Sequence, residues 1–185
     1  SWLTAWLVKM EAKVTGVSLS NNTTPSHFSY LNLKNKVDHK LLDIRDKKKL
    51  ENIIKKKQPD FIFHLAAQAL VSESYKNPRF TFETNTLGTL NILEAMRANN
   101  VNKIIYAASS SCYGLIKDYP TKESSKIDTR YPYAFSKFTG EQLIKHWSDV
   151  YKINYVSLRL FNVYGLRSRT HGAYGAALGV FLKQK

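Results

Sequence analysis

A single cysteine, Cys112, is all that the 185 residues hold. That excludes a disulfide framework within the chain and fits a reducing compartment. No apolar run approaches the ~20 residues that cross a bilayer, and the first residues lack a signal-peptide pattern. The expectation is a soluble, cytoplasmic protein with no membrane partner. Acidic residues are also scarce, 14 against 28 Lys and Arg, for a net charge of +14. The imbalance invites a nucleic-acid partner. The lysines nevertheless run along the whole chain, and the triplets at 47–49 and 55–57 flank one predicted helix. A solvated basic face, with some attraction for an anionic nucleotide, explains them better. No metal site is read from the sequence. Hydrophobic residues make up 43%, enough at this length for one domain with a core but not for two.

Glycine is the most telling shortage. There are eight, all at position 16 or later, and the clustered ones in "GAYGAALG" follow the last clear strand. What is present reads as alternating helices and strands. Residues 1–10 place Trp2, Leu3, Trp6, Leu7 and Met10 at helical spacing behind a Ser, and "KVTGVSL" reads as a strand. After a polar loop, a short extended stretch ends in "LLDI", and Asp46 caps a helix whose apolar stripe is Leu50, Ile53 and Ile54. "PDFIFHLAA" reads as a fully buried strand, 80–98 as a helix, "NKIIYAASS" as the next buried strand, 132–151 as a long helix, and "INYVSLRLFNV" as another strand. Strands alternating with crossover helices imply an α/β fold, a doubly wound parallel sheet. Such sheets commonly hold nucleotides on a Gly-rich turn after the first strand. No such turn is here, so the expectation is a fragment lacking the first strand and that turn.

The stretch "RYPYAFSK" contains Tyr133 four positions before Lys137, a spacing met in base pairs of alcohol chemistry. Spacing alone is weak, because Tyr30 with Lys34 and Tyr113 with Lys117 share it. Tyr30 sits among alternating apolar residues with no helical run, and Tyr113 is followed at once by Gly114. Pro132, by contrast, suits a first helical turn. From there Tyr133, Lys137, Gly140, Ile144, Trp147 and Tyr151 fall on one stripe. A Lys on a buried stripe is costly unless it is used. The functional reading makes Tyr133 an acid/base and Lys137 the cation that lowers its pKa; the alternative is a buried-edge Tyr beside a snorkelling Lys. The strand "KIIYAA" runs into "SSSCYG", which places hydroxyls at a strand's carboxyl end, on the ligand side of such a sheet. That favours the functional reading. Cys112 has no evident base or cation to make it a nucleophile, and His64, within a strand, reads as packed.

With these residues in view, the chain resembles a family: the extended short-chain dehydrogenase/reductases that act on nucleoside-diphosphate sugars. The resemblance runs through "LLDIRD", "PDFIFHLAAQ", "NTLGTLNILEA", "IIYAASSSCYG", "YPYAFSKFTGEQL" and "LRLFNVYGLRSR", in the family's order. It implies a Rossmann-like NAD-binding domain over 1–185, with the C-terminal substrate domain mostly absent. It implies Ser109, Tyr133 and Lys137 as the catalytic residues, with Ser109 selected by its place four residues before Tyr113. It sets Asp43 and Ile44 against the adenine, has Leu65, Ala66, Ala67 and Gln68 line the cofactor, and adds Asn85, Phe161, Tyr133 and Lys137 as cofactor contacts. Ser109 and Asn162 fall to the substrate, Asn162 near its diphosphate.

The resemblance implies NAD as the cofactor, with NADP not excluded, a nucleoside-diphosphate sugar as substrate, and a homodimer. Ser110 and Ser111 stand where the family's 4,6-dehydratases commonly carry an acid. Their hydroxyls favour a 4-epimerase working through a 4-keto sugar, and this half is similar to UDP-glucose 4-epimerase relatives. The front half, with "SWLTAWL", "GVSL" and "HLAAQALVSESY", is closer to CDP-glucose 4,6-dehydratases. Leu166 replaces the family's usual Pro, and "SLSNN" offers only Ser and Asn where the family has an acidic ribose contact. A non-catalytic, cofactor-sensing or nucleic-acid-binding member of the fold is the third reading.

Overall fold

The computed structural model describes residues 1–20, 26–116, 119–166 and 181. The "GAYGAALG" cluster and Lys117 lie outside the described residues. Helix α1 (Trp2–Lys9) leads to strand β1 (Thr15–Ser18), the one-turn α2 (His27–Tyr30) and β2 (Asp38–Leu41). Then come α3 (Lys47–Lys57), β3 (Ile62–His64), α4 (Val71–Lys76), α5 (Pro78–Phe82), a π turn (Glu83–Leu87) and α6 (Gly88–Ala98). Strand β4 (Lys103–Ala107), α7 (Pro132–Tyr151) and β5 (Asn154–Leu158) follow. Every strand pairing is parallel: β1 with β2 in one sheet, and β3, β4 and β5 in that order in the other. Parallel neighbours require crossovers: α2 lies between β1 and β2, α4 to α6 between β3 and β4, and α7 between β4 and β5, while α3 joins the two sheets.

Local chemistry sets the helix ends. The Asp46 carboxylate accepts from the Lys49 amide at 3.1 Å and caps α3, which stops where Gln58 turns left-handed at φ 42°. Pro132 opens α7 and Lys152, at φ 58°, closes it. Leu50 and Ile54 of α3 meet Ile92, Leu93 and Met96 of α6 and Ile144 of α7 over Ile104 and Tyr106 of β4. This is the core. Leu93 and Met96 are fully enclosed, each contributing about 1.5–3 kcal/mol by leaving water.

The strands are shorter and less covered than their composition predicts. β3 keeps only Ile62, Phe63 and His64, with Phe61 and Leu65 exposed, and β5 has both faces largely open. Each borders β4 on one side alone, so ladder and cover hold only its middle. Tyr30, expected outside any helix, ends the single turn α2, which forms because the Ser26 hydroxyl accepts from the Ser29 amide. Lys34 lies in a separate 3₁₀ turn, so that Tyr and Lys still share no helix.

The predicted helix over 80–98 is interrupted by the π turn, a local widening that often marks a functional site. Gly140 of α7 is where two elements come closest. A Cβ there would stand 2.5 Å from the Tyr106 hydroxyl and 3.3 Å from the Asn85 carbonyl. Gly140→Ala should therefore cost about 1–3 kcal/mol through overpacking, read as a lower midpoint in urea unfolding. An unchanged midpoint would contradict this close approach.

Candidate active site

Each expected site residue follows the carboxyl end of a strand or lies on a helix beside one. Beyond β4 the chain bends at Ala108 into a 3₁₀ turn, Ser110–Tyr113, whose N-cap is Ser109. The Ser109 hydroxyl, nearly buried, accepts from the Ser111 amide at 3.2 Å and stands beside the Tyr133 phenol. The first turn of α7 thus meets the end of β4 through the two hydroxyls. Burial raises the Tyr133 pKa above its ordinary value, and the Ser109 hydroxyl opposes that rise.

Lys137 lies one helical turn further, 4% exposed. Its ammonium rests 4.3 Å from the centre of the Tyr106 ring, and no described carboxylate pairs with it. Desolvation lowers its pKa to about 7. In this arrangement burial is the first influence on the Tyr133 pKa. The ammonium faces the ring of β4, a cation–π contact, and burial governs both groups. Tyr106 hydrogen-bonds back to the Lys137 carbonyl at 3.2 Å, fixing ring and helix together. Beneath them His64 is enclosed, its Nε2 2.8 Å from the Thr89 hydroxyl, with its pKa pushed down to about 3 by burial first and the nearby Lys137 charge second. It stays neutral near pH 7 and packs. Cys112 is buried and its thiol pKa raised by desolvation, which leaves it unreactive.

Asn85, in the π turn, has its amide fully used. Its Nδ2 donates to the Gln68 carbonyl and the Ser136 hydroxyl, both at 3.0 Å, and its Oδ1 accepts from the Gln68 amide at 2.8 Å. Gln68 in turn bonds Thr81 and Leu70. Asn85 braces the strand end after β3 against α7, and the Gln68 side chain ties the same strand end to Thr81 of α5. Leu65 is exposed and Ala66 and Ala67 half-exposed in that strand end, a small-residue surface open to a ligand. The Asp43 carboxylate is gripped by the Arg45 guanidinium at 2.7 and 3.0 Å, which holds its pKa below the usual range. Ile44 is buried, its side chain within 2.6 Å of where a Cβ on Gly88 would stand. Phe161 and Asn162 are exposed on the run after β5, and that run is tied to the turn after β4 by the Ser110 amide on the Leu160 carbonyl at 3.0 Å.

Ser109, Tyr133 and Lys137 are therefore together, beside the open strand end at 65–67. The sequence reading missed Tyr106, Ser136 and Arg159. Tyr106 and Ser136 carried a signal, since one precedes the serine run on a buried strand and the other sits between Tyr133 and Lys137.

Comparison with known proteins gives the site its context. The family model described as GDP-mannose 4,6 dehydratase matches residues 1–175. A CDP-glucose 4,6-dehydratase of Salmonella typhimurium is 40% identical over 114 residues, 61% of this chain and 32% of that one. The crystal structure of a UDP-glucose 4-epimerase from Thermotoga maritima with UDP-glucose superposes with a TM-score of 0.89 at 28% identity, over 99% of this chain and 58% of that one. A Thermus thermophilus UDP-glucose 4-epimerase in complex with NAD gives 0.81 at 32% identity, over 96% and 55%. The chain spans less than half the length of the curated relatives it matches.

Proposed function

The chain belongs to the GDP-mannose 4,6 dehydratase family, the NAD-dependent epimerases and dehydratases of nucleotide sugars, and on that premise we propose that the enzyme carrying it is a nucleoside-diphosphate-sugar 4-epimerase. One observation carries the reading: the Tyr133 phenol meets the Ser109 hydroxyl while Lys137 lies buried one turn on, and the turn after Ser109 offers hydroxyls, not carboxylates, at Ser110 and Ser111.

The residues fit NAD at its nicotinamide end. The Lys137 ammonium is buried without a carboxylate and so has donors for ribose hydroxyls, and the small residues Ala66 and Ala67 leave the strand end open. Lys137, Tyr133, Leu65, Ala66, Ala67 and Phe161 are assigned to holding it. Asp43 and Ile44 are assigned to the adenine side, and Gln68 and Asn85 to the brace beneath. When bound, NAD supplies a hydride acceptor for the sugar's C4 carbon. Tyr133 takes the proton of the sugar 4-hydroxyl and later returns it. Ser109 donates to the same oxygen and keeps it in line, Lys137 stabilises the Tyr133 phenolate, the form that takes that proton, and Asn162 is assigned to the diphosphate. Inversion follows when the 4-keto sugar presents its other face and regains there the hydride that C4 gave up, with the proton from Tyr133 returning to its oxygen.

A second reading rests on the likeness to the Salmonella 4,6-dehydratase. The two part after oxidation. An epimerase leaves the C5 proton in place, so its product carries no carbon-bound deuterium when turnover runs in heavy water. A dehydratase removes that proton, expels the 6-hydroxyl and reprotonates, which calls for a second acid/base group. A serine hydroxyl is too weak an acid near neutral pH to serve at Ser110 or Ser111. With a UDP-sugar as probe and mass spectrometry of the product, the expectation is no deuterium gain. A deuterated 6-deoxy-4-keto product would refute the epimerase reading and place the acid elsewhere, with Glu73 of α4 the first candidate.

A further inference from the structure

We propose that Arg159 is the positioning residue of this site: a single guanidinium that locks the turn carrying Ser109 to the helix carrying Tyr133 and Lys137. Arg159 follows β5 directly. The register pairs Ser157 with Tyr106, and two residues further on Arg159 comes level with the chain just past β4, where it bends into the Ser109 turn. All three guanidinium nitrogens are engaged there. Nε and Nη2 form a fork on the Glu141 carboxylate at 2.8 to 3.2 Å, and Nη1 donates to the Tyr113 hydroxyl at 2.9 Å and to the Glu123 carbonyl at 3.0 Å. The pair is well covered, with the Arg159 side chain 21% and the Glu141 side chain 12% exposed. The guanidinium also lies over the Tyr113 ring, 5.2 Å from its centre.

The partners explain the function. Glu141 stands one helical turn past Lys137 on α7, and Tyr113 ends the 3₁₀ turn that Ser109 caps. Main-chain bonds hold that turn elsewhere: Ser110 to the Leu160 carbonyl at 3.0 Å, and the Cys112 carbonyl to the Asp128 amide at 2.8 Å. Neither reaches α7. Among the described residues, the hydrogen-bonded link from the turn to α7 is the chain Tyr113–Arg159–Glu141, behind the facing Ser109 and Tyr133 hydroxyls. The separation of the two reacting hydroxyls is thus held from behind by one planar cation, which lysine, a point charge with three donors, cannot replace at three sites at once. The hydrogen bonds to the Glu141 carboxylate outweigh the opposing effect of burial and raise the Arg159 pKa above the ordinary arginine value, so the guanidinium stays charged at any working pH.

The inference rests on the proposed function only for the meaning of that separation, and its test does not. In the complete protein, Arg159→Lys and the milder Tyr113→Phe are compared with wild type by amide hydrogen exchange. The Ser110 and Ser111 amides should exchange about tenfold faster in both variants, while those in the middle of α7 stay protected. In turnover on the nucleotide sugar, kcat should fall about tenfold with KM changed less than twofold, since substrate binding is not what the lock supports. Unchanged exchange at Ser110 and Ser111 in both variants would overturn the proposal, and so would a KM effect with kcat intact. A wild-type protein that turns over no nucleotide sugar would refute the proposed function, while the exchange data would still decide the role of Arg159.

Discussion

Tyr133→Phe in the complete enzyme should lower turnover by about 10²–10⁴-fold, the usual loss when a positioned acid/base is removed. The phenylalanine keeps the ring, the helix and the packing beside Ser109, and takes away one oxygen. Cofactor content should fall little, since Lys137 and the strand end at 65–67, which share in holding the cofactor, are untouched. The loss should fall on kcat and kcat/KM alike, as it does for an interaction made during proton transfer. Tyr133 is also the more exposed member of the trio, with Ser109 and Lys137 nearly enclosed, so a substrate oxygen reaches the phenol without opening the core. Steady-state assay with bound-cofactor quantification checks both parts. Wild-type turnover in the variant would remove Tyr133 from the chemistry.

Lys137→Met should yield a slower and sturdier protein. The ammonium is buried without a carboxylate, and its pKa is lowered from 10.5 to about 7 by desolvation. The sign follows from linkage. Between those two values the unfolded chain holds the proton more tightly than the folded one, so unfolding takes up protons and stability rises with pH across that window. Below about 7 the whole penalty is present, and above 10.5 it is gone. Each pH unit contributes up to about 1.4 kcal/mol. Methionine fills nearly the same space without the charge. With cofactor absent, urea unfolding should find the variant more stable near pH 7, and the gap should narrow steadily by pH 9. Turnover should drop on the order of 10²-fold, because the phenolate at Tyr133 loses its cation. A variant equal to or weaker than wild type at pH 7 would show that the ammonium is compensated after all.

Much of this was readable in the residues, for a physical reason. The helix α7 runs from Pro132 to Tyr151 as the stripe predicts, because a proline start and a 3.6-residue apolar period are local signals. The same holds for Asp46 and α3. Ser109, Tyr133 and Lys137 were legible because a hydroxyl run ending a buried strand, followed by a helix with a lysine on its inner face, fixes where side chains converge. Strand lengths were not legible, since pairing rather than composition limits β3 and β5. Nor were the partners. Tyr106 reaches Lys137 across 31 positions, and Ser136 reaches Asn85 across 51. No window on the sequence contains both ends of such bonds. Gln68 and Asn85 were singled out by the resemblance, yet the Asn85 side-chain amide is spent on the Gln68 backbone and Ser136, and that of Gln68 on Leu70 and Thr81, which only the packed chain reveals.

The π turn at Glu83–Leu87 is in effect a ratchet set one tooth off. An α-helix carrying one residue too many has everything beyond that point swung about 100° around its axis. Within the turn, Asn85 faces Gln68 and Ser136, and downstream the register turns Ile92, Leu93 and Met96 into the core. A uniform helix of the same sequence would satisfy one group and rotate the other away. The arithmetic of chain length, and not the identity of any side chain, therefore couples the strut under α7 to the oily centre of the molecule.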